Sequence, residues 1–462
     1  MNYDIIIIGS GPGGYVTAIR ASQLGFRVAI VEKENLGGIC LNWGCIPTKA
    51  LLKSAQVYDY MKHVDAYGLK AKEIDKDFEA IIKRSRNVAE GMSKGVQFLM
   101  KKNKIDVLNG FGKVKPGKKV EVTDADNKVT EYSADHIIIA TGARSRELPF
   151  MPIDGKKIIG YRKAMTLEKQ PEKMIIVGSG AIGVEFAYFY NSMGTQVTIV
   201  EFLPRVVPLE DEDVSKQFNR SLKKAKIKVM TSSSVTAVDT SGEGVKATVK
   251  TKKGEEILEA DVILSAVGIK SNIENIGLED VGIVTDKDKI IVNESYETNI
   301  PGYYAIGDVV PGPALAHVAS AEGITCVEKI AGLKPEPIDY GNIPGCTYAT
   351  PEIASVGYTE AQAKEKGYDL KIGKFPFSAS GKAKAAGTPE GFVKVIFDAK
   401  YGELLGCHMI GAGVTDMIAE AVVARKLEAT GHEILKAIHP HPTMSEAVME
   451  AVADAYDEVI HL

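Results

Sequence analysis

Two cysteines of this 462-residue chain, Cys40 and Cys45, lie in the segment GGICLNWGCIPTK, with Lys49 closing it. A close thiol pair can ligate a metal, form a structural staple, sit inert in a core or cycle between dithiol and disulfide. Five cysteines in all make no disulfide framework, and in a reducing compartment a close pair is catalytic or metal-binding rather than structural. Cys326, Cys346 and Cys407 are scattered and read as inert, buried small hydrophobes. Far downstream, HPHPTMSE carries His439, His441 and Glu446. Its prolines keep 439–442 extended, after which either Ser445 caps a helix or Glu446 occupies its first turn. An imidazole–carboxylate hydrogen bond between His441 and Glu446 is within reach across that bend. Such a bond orients the ring and raises its basicity, as a general base requires. The bland alternative is a structural histidine; a metal needs more ligands than this segment offers.

These groups must be held by something, and the chain begins with a recognisable holder. An apolar strand over 4–8 is followed by GSGPGG (Gly9, Gly11, Gly14), a helical stretch over Tyr15–Leu24 and a second strand over Phe26–Val31 ending at Glu32. Strand, Gly-rich turn, helix, strand and acid form a dinucleotide-binding pattern. The glycines admit a pyrophosphate to the helix N-terminus, and the acid meets a ribose diol. One such match is weak. Here it recurs: a strand over Lys173–Val177, GSGAIG (Gly178, Gly180, Gly183), a helix to about Met193 and a strand over Gln196–Val200 ending at Glu201. The step from first glycine to acid is the same in both copies, 9 to 32 and 178 to 201, which argues against chance.

Each copy closes on an apolar strand ending in glycine, at Gly142 (after Ala140 and Thr141) and at Gly268. Copy one is the longer, and part of its surplus must follow Glu32, where the cysteine pair begins. The pair therefore sits on an insertion specific to the first copy. The insertion is predicted helical from about Thr48, with Pro47 near the first turn, and again over Asp77–Lys102. Segments 107–114, 119–122 and 131–132 read as a β-meander whose counterparts in copy two are 227–238 and 245–251.

A third acid, Asp308, ends the strand of YYAIGD, either as plain turn chemistry or as a carboxylate for a cofactor hydroxyl; a helix then starts within 314–325. The last third is strand-rich over 345–410 and then helical over 416–427 and 445–459. It carries no nucleotide motif, which suggests dimerisation or completion of an active site. The fold class is α/β: two Rossmann-like dinucleotide-binding domains plus a C-terminal α+β dimerisation domain. The expected partition is 1–145, 146–270, 271–340 and 341–462.

The net charge of -4, with acids and bases well mixed, gives no nucleic-acid footprint. No apolar run reaches the length of a membrane span, and no basic region precedes the short run at 4–8, so a cytoplasmic protein, or a mature protein after processing, is expected.

In the order GSGPGG, GGICLNWGCIPTK, ATG (140–142), GSGAIGVE, YAIGD and HPHPTMSE, the chain resembles the pyridine nucleotide–disulfide oxidoreductase family along essentially its whole length. The resemblance implies that Gly9, Gly11, Gly14 and Glu32, with Thr141, Gly142 and Ala316, hold FAD, and that Asp308 meets its ribityl chain. It implies that Gly178, Gly180, Gly183, Glu201 and Gly268 serve NAD. Cys40 becomes the outer interchange thiol and Cys45 the inner thiol facing the flavin, with Lys49 near the flavin and paired with Glu185. His441, backed by Glu446, comes from the second subunit of a homodimer. The implied reaction is oxidation of a dihydrolipoyl group on a lipoyl-bearing acyltransferase or a glycine cleavage carrier protein, with NAD as acceptor.

Glu201 argues against an NADPH-dependent glutathione reductase, since an acid there repels a 2′-phosphate, and Arg205, beyond Pro204, need not reach the ribose. The ending EVIHL has no cysteine pair, against a mercuric reductase. A flavin oxidase or transhydrogenase with idle cysteines, or a purely structural subunit, leaves the joint presence of Cys40, Cys45, Lys49, His441 and Glu446 unexplained. One departure from the family is Gly268-Ile269-Lys270-Ser271-Asn272, where Gly-Arg-x-Pro-Asn is usual.

Overall fold

The computed structural model describes residues 2–462, which divide into two compact units. The first comprises residues up to 50, 80–146 and 268–338. Its sheet is built on β1 (Asn2–Ile8), whose four consecutive isoleucines are buried, as expected of a parallel strand covered on both faces. Helix α1 (Pro12–Gln23) follows, with Pro12 in its first turn, then β2 (Val28–Glu32) parallel to β1 with Ile5 opposite Val28. The insertion supplies α2 (Gly38–Trp43), α3 (Cys45–Lys62) and α4 (Phe78–Lys102). The buried residues of α4, Ser85, Ala89, Val96 and Met100, recur at helical spacing on one face.

The chain then returns to the sheet as β3 (Asp106–Asn109), β4 (Phe111–Lys115), β5 (Lys119–Thr123) and β6 (Val129–Ile139), in the order β3-β2-β1-β6-β5-β4. The single stretch expected over 107–114 is two strands, because Gly110 breaks it with φ 149°. Before the break β3 runs parallel to β2; after it β4 runs antiparallel to β5. β6 joins what the sequence suggested as separate strands. Its first half pairs antiparallel with β5 and its second half parallel with β1. Strand Tyr303–Ala305 adds parallel to β6, which puts Asp308 at the same sheet as the first nucleotide turn.

The second unit comprises 51–79, 147–267 and 339–462. It repeats the first pattern in a five-stranded parallel sheet around Lys173–Val177, with Gln196–Val200 beside it and helix Ala181–Ser192 between them. A three-stranded antiparallel meander follows over 234–260. Residues 345–411 form a five-stranded antiparallel sheet packed on helices Val414–Lys426 and Glu446–Ala455 around one apolar core.

Candidate active site

Both nucleotide turns are built alike. A Cβ on Gly14 would lie 1.9 Å from the Gly9 carbonyl oxygen, and one on Gly183 would lie 2.1 Å from that of Gly178, so only glycine lets each helix approach its strand. Around Gly11 and Gly180 there is open space within 4 Å. These two glycines are the N-caps of the twelve-residue helices, and neither helix start has a side-chain cap. Uncapped amides at a helix N-terminus, with room in front of them, fit a pyrophosphate.

The two acids are held by the same bonds. Oε2 of Glu32 accepts from Ser10 N (3.1 Å) and Ser10 Oγ (2.6 Å), and Oε1 accepts from Glu34 N (2.8 Å). Oε2 of Glu201 accepts from Ser179 N and Oγ (both 2.7 Å), and Oε1 accepts from Leu203 N (2.8 Å). Ser10 and Ser179, which hold the two acids, were not singled out in the sequence; the repeated Gly-Ser-Gly was the available signal. Arg205 turns back on its own loop, donating to the Pro208 carbonyl through Nε (3.3 Å) and Nη2 (3.0 Å).

The cysteine segment is tied to the first turn. Gly37 N donates to Ser10 O (3.0 Å), and the α-carbon of Gly11 would lie 2.6 Å from a Cβ on Gly38. Cys40 lies in the middle of α2, a helix not foreseen in the sequence. Cys45 opens α3, three residues earlier than the start expected at Thr48, so it occupies a helix N-terminus where a thiolate is favoured. Both are half-buried thiols. The hydrogen bond to Cys45, then burial, then the charge of Cys45 push the Cys40 thiol well above its ordinary value, while Lys49, one turn into α3, pulls it down. Cys326 and Cys407 are fully buried, as expected; Cys346 is only half-buried and touches the Thr415 carbonyl.

Thr141, Gly142, Gly268, Asp308 and Ala316 lie in the same unit. Thr141 Oγ1 donates to Asn272 O (2.7 Å), and Asn272 N donates to Gly142 O (2.8 Å). Burial raises the Asp308 carboxyl above its ordinary value, opposed by Lys289. Such a carboxyl gains from a ligand hydroxyl. Ala316 opens helix Ala316–Ile330, and in that helix the buried Glu322 accepts from Gly307 N (2.6 Å), fixing the turn that carries Asp308. At the departure after Gly268, Lys270 pairs with Glu274 (2.7 Å), and Arg144 from the neighbouring strand pairs with the same carboxylate (2.8 Å). Arg144 and then Lys270 hold Glu274 down at about 2. A guanidinium is thus supplied to this turn from another strand.

In the second unit Glu185 is buried on helix Ala181–Ser192 and accepts from Tyr348 N (3.0 Å). His441 and Glu446 meet as expected: Nδ1 of His441 lies 2.8 Å from Oε1 of Glu446, and Oε2 accepts from Thr443 N (2.7 Å). Ser445 makes no side-chain capping bond, so of the two readings of this bend the one with Glu446 in the first turn holds. The His441 side chain is 80% exposed, so its Nε2 faces outward, available to a second chain.

A duplicated dinucleotide fold with a dithiol tied to its first turn defines a flavin- and nicotinamide-dependent disulfide oxidoreductase. Residues 3–323 match the pyridine nucleotide-disulphide oxidoreductase family and residues 343–452 its dimerisation domain, and the chain belongs to this family. FAD and NAD are its cofactors, and it is a homodimer. It is 51% identical over 478 residues to a dihydrolipoyl dehydrogenase of Rhizobium etli, covering 100% of this chain and 99% of that one. It is 45% identical to a dihydrolipoyl dehydrogenase of Bacillus subtilis, covering 99% of each. Among solved structures it resembles LpdA from Mycobacterium tuberculosis (TM-score 0.91, 26% identity, 97% of this chain and 98% of that one). It also resembles the HOCl-induced flavoprotein disulfide reductase RclA from Escherichia coli (TM-score 0.88, 25% identity, 98% and 99%). Among the described residues no helix is long and apolar enough to cross a membrane.

Proposed function

We propose that the chain oxidises protein-bound dihydrolipoyl groups with NAD as acceptor. The observation that carries this reading is the dithiol across the α2–α3 junction, hydrogen-bonded through Gly37 to the first nucleotide turn. FAD would supply the electron-pair transfer between the dithiol and the nicotinamide. The remaining steps belong to the protein. A dihydrolipoyl thiolate attacks the Cys40 sulfur of the Cys40–Cys45 disulfide, Cys45 leaves as thiolate, and the second substrate thiol displaces Cys40 to give the lipoyl disulfide. His441 of the partner subunit takes the substrate proton, held in the right tautomer by the partner's Glu446. Gly9, Gly11, Gly14, Glu32, Thr141, Gly142, Asp308 and Ala316 hold FAD; Gly178, Gly180, Gly183, Glu201 and Gly268 serve NAD. A carboxylate already fastened at both oxygens by Ser179 and Leu203 favours a free 2′-hydroxyl over a 2′-phosphate.

The protein works in the cytoplasm, with FAD, NAD, central and interface domains at 1–145, 146–270, 271–340 and 341–462, and its partner is a lipoyl-bearing acyltransferase or glycine cleavage carrier protein. The test is a purified-protein assay of NAD reduction by dihydrolipoamide, beside NADPH oxidation by glutathione disulfide. Rapid turnover in the first and none in the second is expected; the reverse contradicts the reading.

A further inference from the structure

Three consecutive residues of α4 reach the backbone on either side of Cys45. Arg86 Nη2 donates to the Asn42 carbonyl (2.6 Å), Ser85 Oγ to that of Pro47 (2.9 Å) and Arg84 Nη1 to that of Ala50 (2.7 Å). The guanidinium carbon of Arg86 lies 4.1 Å from the centre of the Trp43 ring, and its Nη1 is buried without a hydrogen bond. Asn42 and Trp43 are the last residues of α2, and Cys45 is the first of α3. Cys45 thus sits where two helix ends meet. The amino end of α3 favours negative charge on its sulfur, and the carboxyl end of α2 opposes it. A guanidinium stays charged at any working pH. Placed on the Asn42 carbonyl, it cancels the unfavourable end and leaves the favourable one.

We propose that Arg86 is a positioning residue for the dithiol: it closes the carboxyl end of the Cys40 helix, fixes Trp43 in the turn between the two sulfurs, and lowers the cost of a thiolate on Cys45. Ser85 holds the first turn of the Cys45 helix at the same α4 surface without a charge, and Arg84 places its guanidinium further along that helix, at Ala50. The proposal rests on Cys40–Cys45 being the redox pair with Cys45 facing the flavin. No motif marks Arg86, which lies 44 residues from the carbonyl it holds.

The test uses FAD-loaded dimer reduced by two electrons without oxygen, following the long-wavelength thiolate-to-flavin absorption band against pH. Removing a charge from a helix end is worth about a two- to five-fold change in the thiolate equilibrium. Arg86→Met therefore moves the midpoint of the band upward by about 0.3 to 0.7 of a pH unit. Arg86→Lys keeps the charge and recovers most of the shift. Ser85→Ala leaves the midpoint at the wild-type value. Should Arg86→Met fail to hold FAD, Arg86→Gln, which keeps a donor to Asn42 without the charge, is expected to show the same upward shift. An unmoved midpoint in the uncharged variant, or equal shifts in the Lys and uncharged variants, overturns the proposal. A wild-type protein with no such band, or one whose band survives Cys45→Ser, instead overturns the assignment of the inner thiol.

Discussion

Glu446→Gln isolates the proton-handling half of the site with the smallest change of shape. An ionised Glu446 only accepts, so the proton on His441 Nδ1 points to it and the Nε2 lone pair is left as the base. Burial works against the Glu446 charge, but the Thr443 N–H and then His441 outweigh it and hold this carboxyl below its ordinary range. A glutamine cannot serve both contacts. If its oxygen stays on Thr443 N, its amide NH2 faces Nδ1 and drives the proton to Nε2, removing the base. If its oxygen stays on His441, two donors collide at Thr443. A correctly protonated base is worth about 10²- to 10⁴-fold. Because His441 is 80% exposed and its ring is held by this one bond, the lower end applies, and kcat for dihydrolipoamide oxidation falls about 10²-fold. The internal control is NADH oxidation by ferricyanide, which draws electrons from the flavin without the dithiol and stays at the wild-type rate. If Glu446→Gln oxidises dihydrolipoamide at the wild-type rate, the tautomer argument is wrong; if both activities fall together, the substitution has damaged the fold instead.

Four further outcomes follow from the geometry. Gly183→Ala drives a methyl into the Gly178 carbonyl, so the protein is expected to keep FAD and accept electrons from dihydrolipoamide while losing NAD reduction; Gly14→Ala loses FAD itself, as flavin absorbance will report. Lys394, 3% exposed, bridges Asp211 (2.9 Å), Asp213 (3.1 Å) and Glu360 (2.7 Å), and Lys394→Met strands the buried Asp211. Urea unfolding should record a loss of about 3–5 kcal/mol. Burial pushes Glu210 from 4.5 up to about 7, and its Oε2 is buried without a partner. The folded protein therefore keeps a proton that the unfolded chain releases. This contribution to stability is whole below pH 4.5 and is lost as pH rises to about 7. Glu210→Gln removes that slope, which thermal unfolding across the window will show.

The local groups were legible because short-range chemistry sets them. DIIII followed by GSGPGG and an acid has one consistent fold, and the identical step to Glu201 carried over to identical bonds at Ser179. His441 and Glu446 are five residues apart across a proline-held bend, close enough to meet without help from elsewhere. What the sequence concealed is either too short for periodicity or too distant for any pattern. α2 spans six residues, follows Gly37 at φ 97° and opens on Gly38 at φ 56°, so Cys40 reads as part of a turn. Gly110 splits an apparently continuous strand because its φ of 149° and the Thr123 carbonyl 2.5 Å from a would-be Cβ admit only glycine. The hold of Arg86 on Asn42 exists only once α4 has packed against the cysteine helices.

The central claim is that electrons from a dihydrolipoyl group reach the flavin through Cys40 and Cys45 and no other way. Anaerobic stopped-flow mixing of the FAD-loaded protein with dihydrolipoamide, for wild type and Cys40→Ser, tests it most directly. Wild type is expected to develop the thiolate-to-flavin band and then reduce added NAD, while Cys40→Ser, still reducible by NADH, develops no change with dihydrolipoamide. Reduction of the Cys40→Ser flavin by dihydrolipoamide at the wild-type rate would contradict the account.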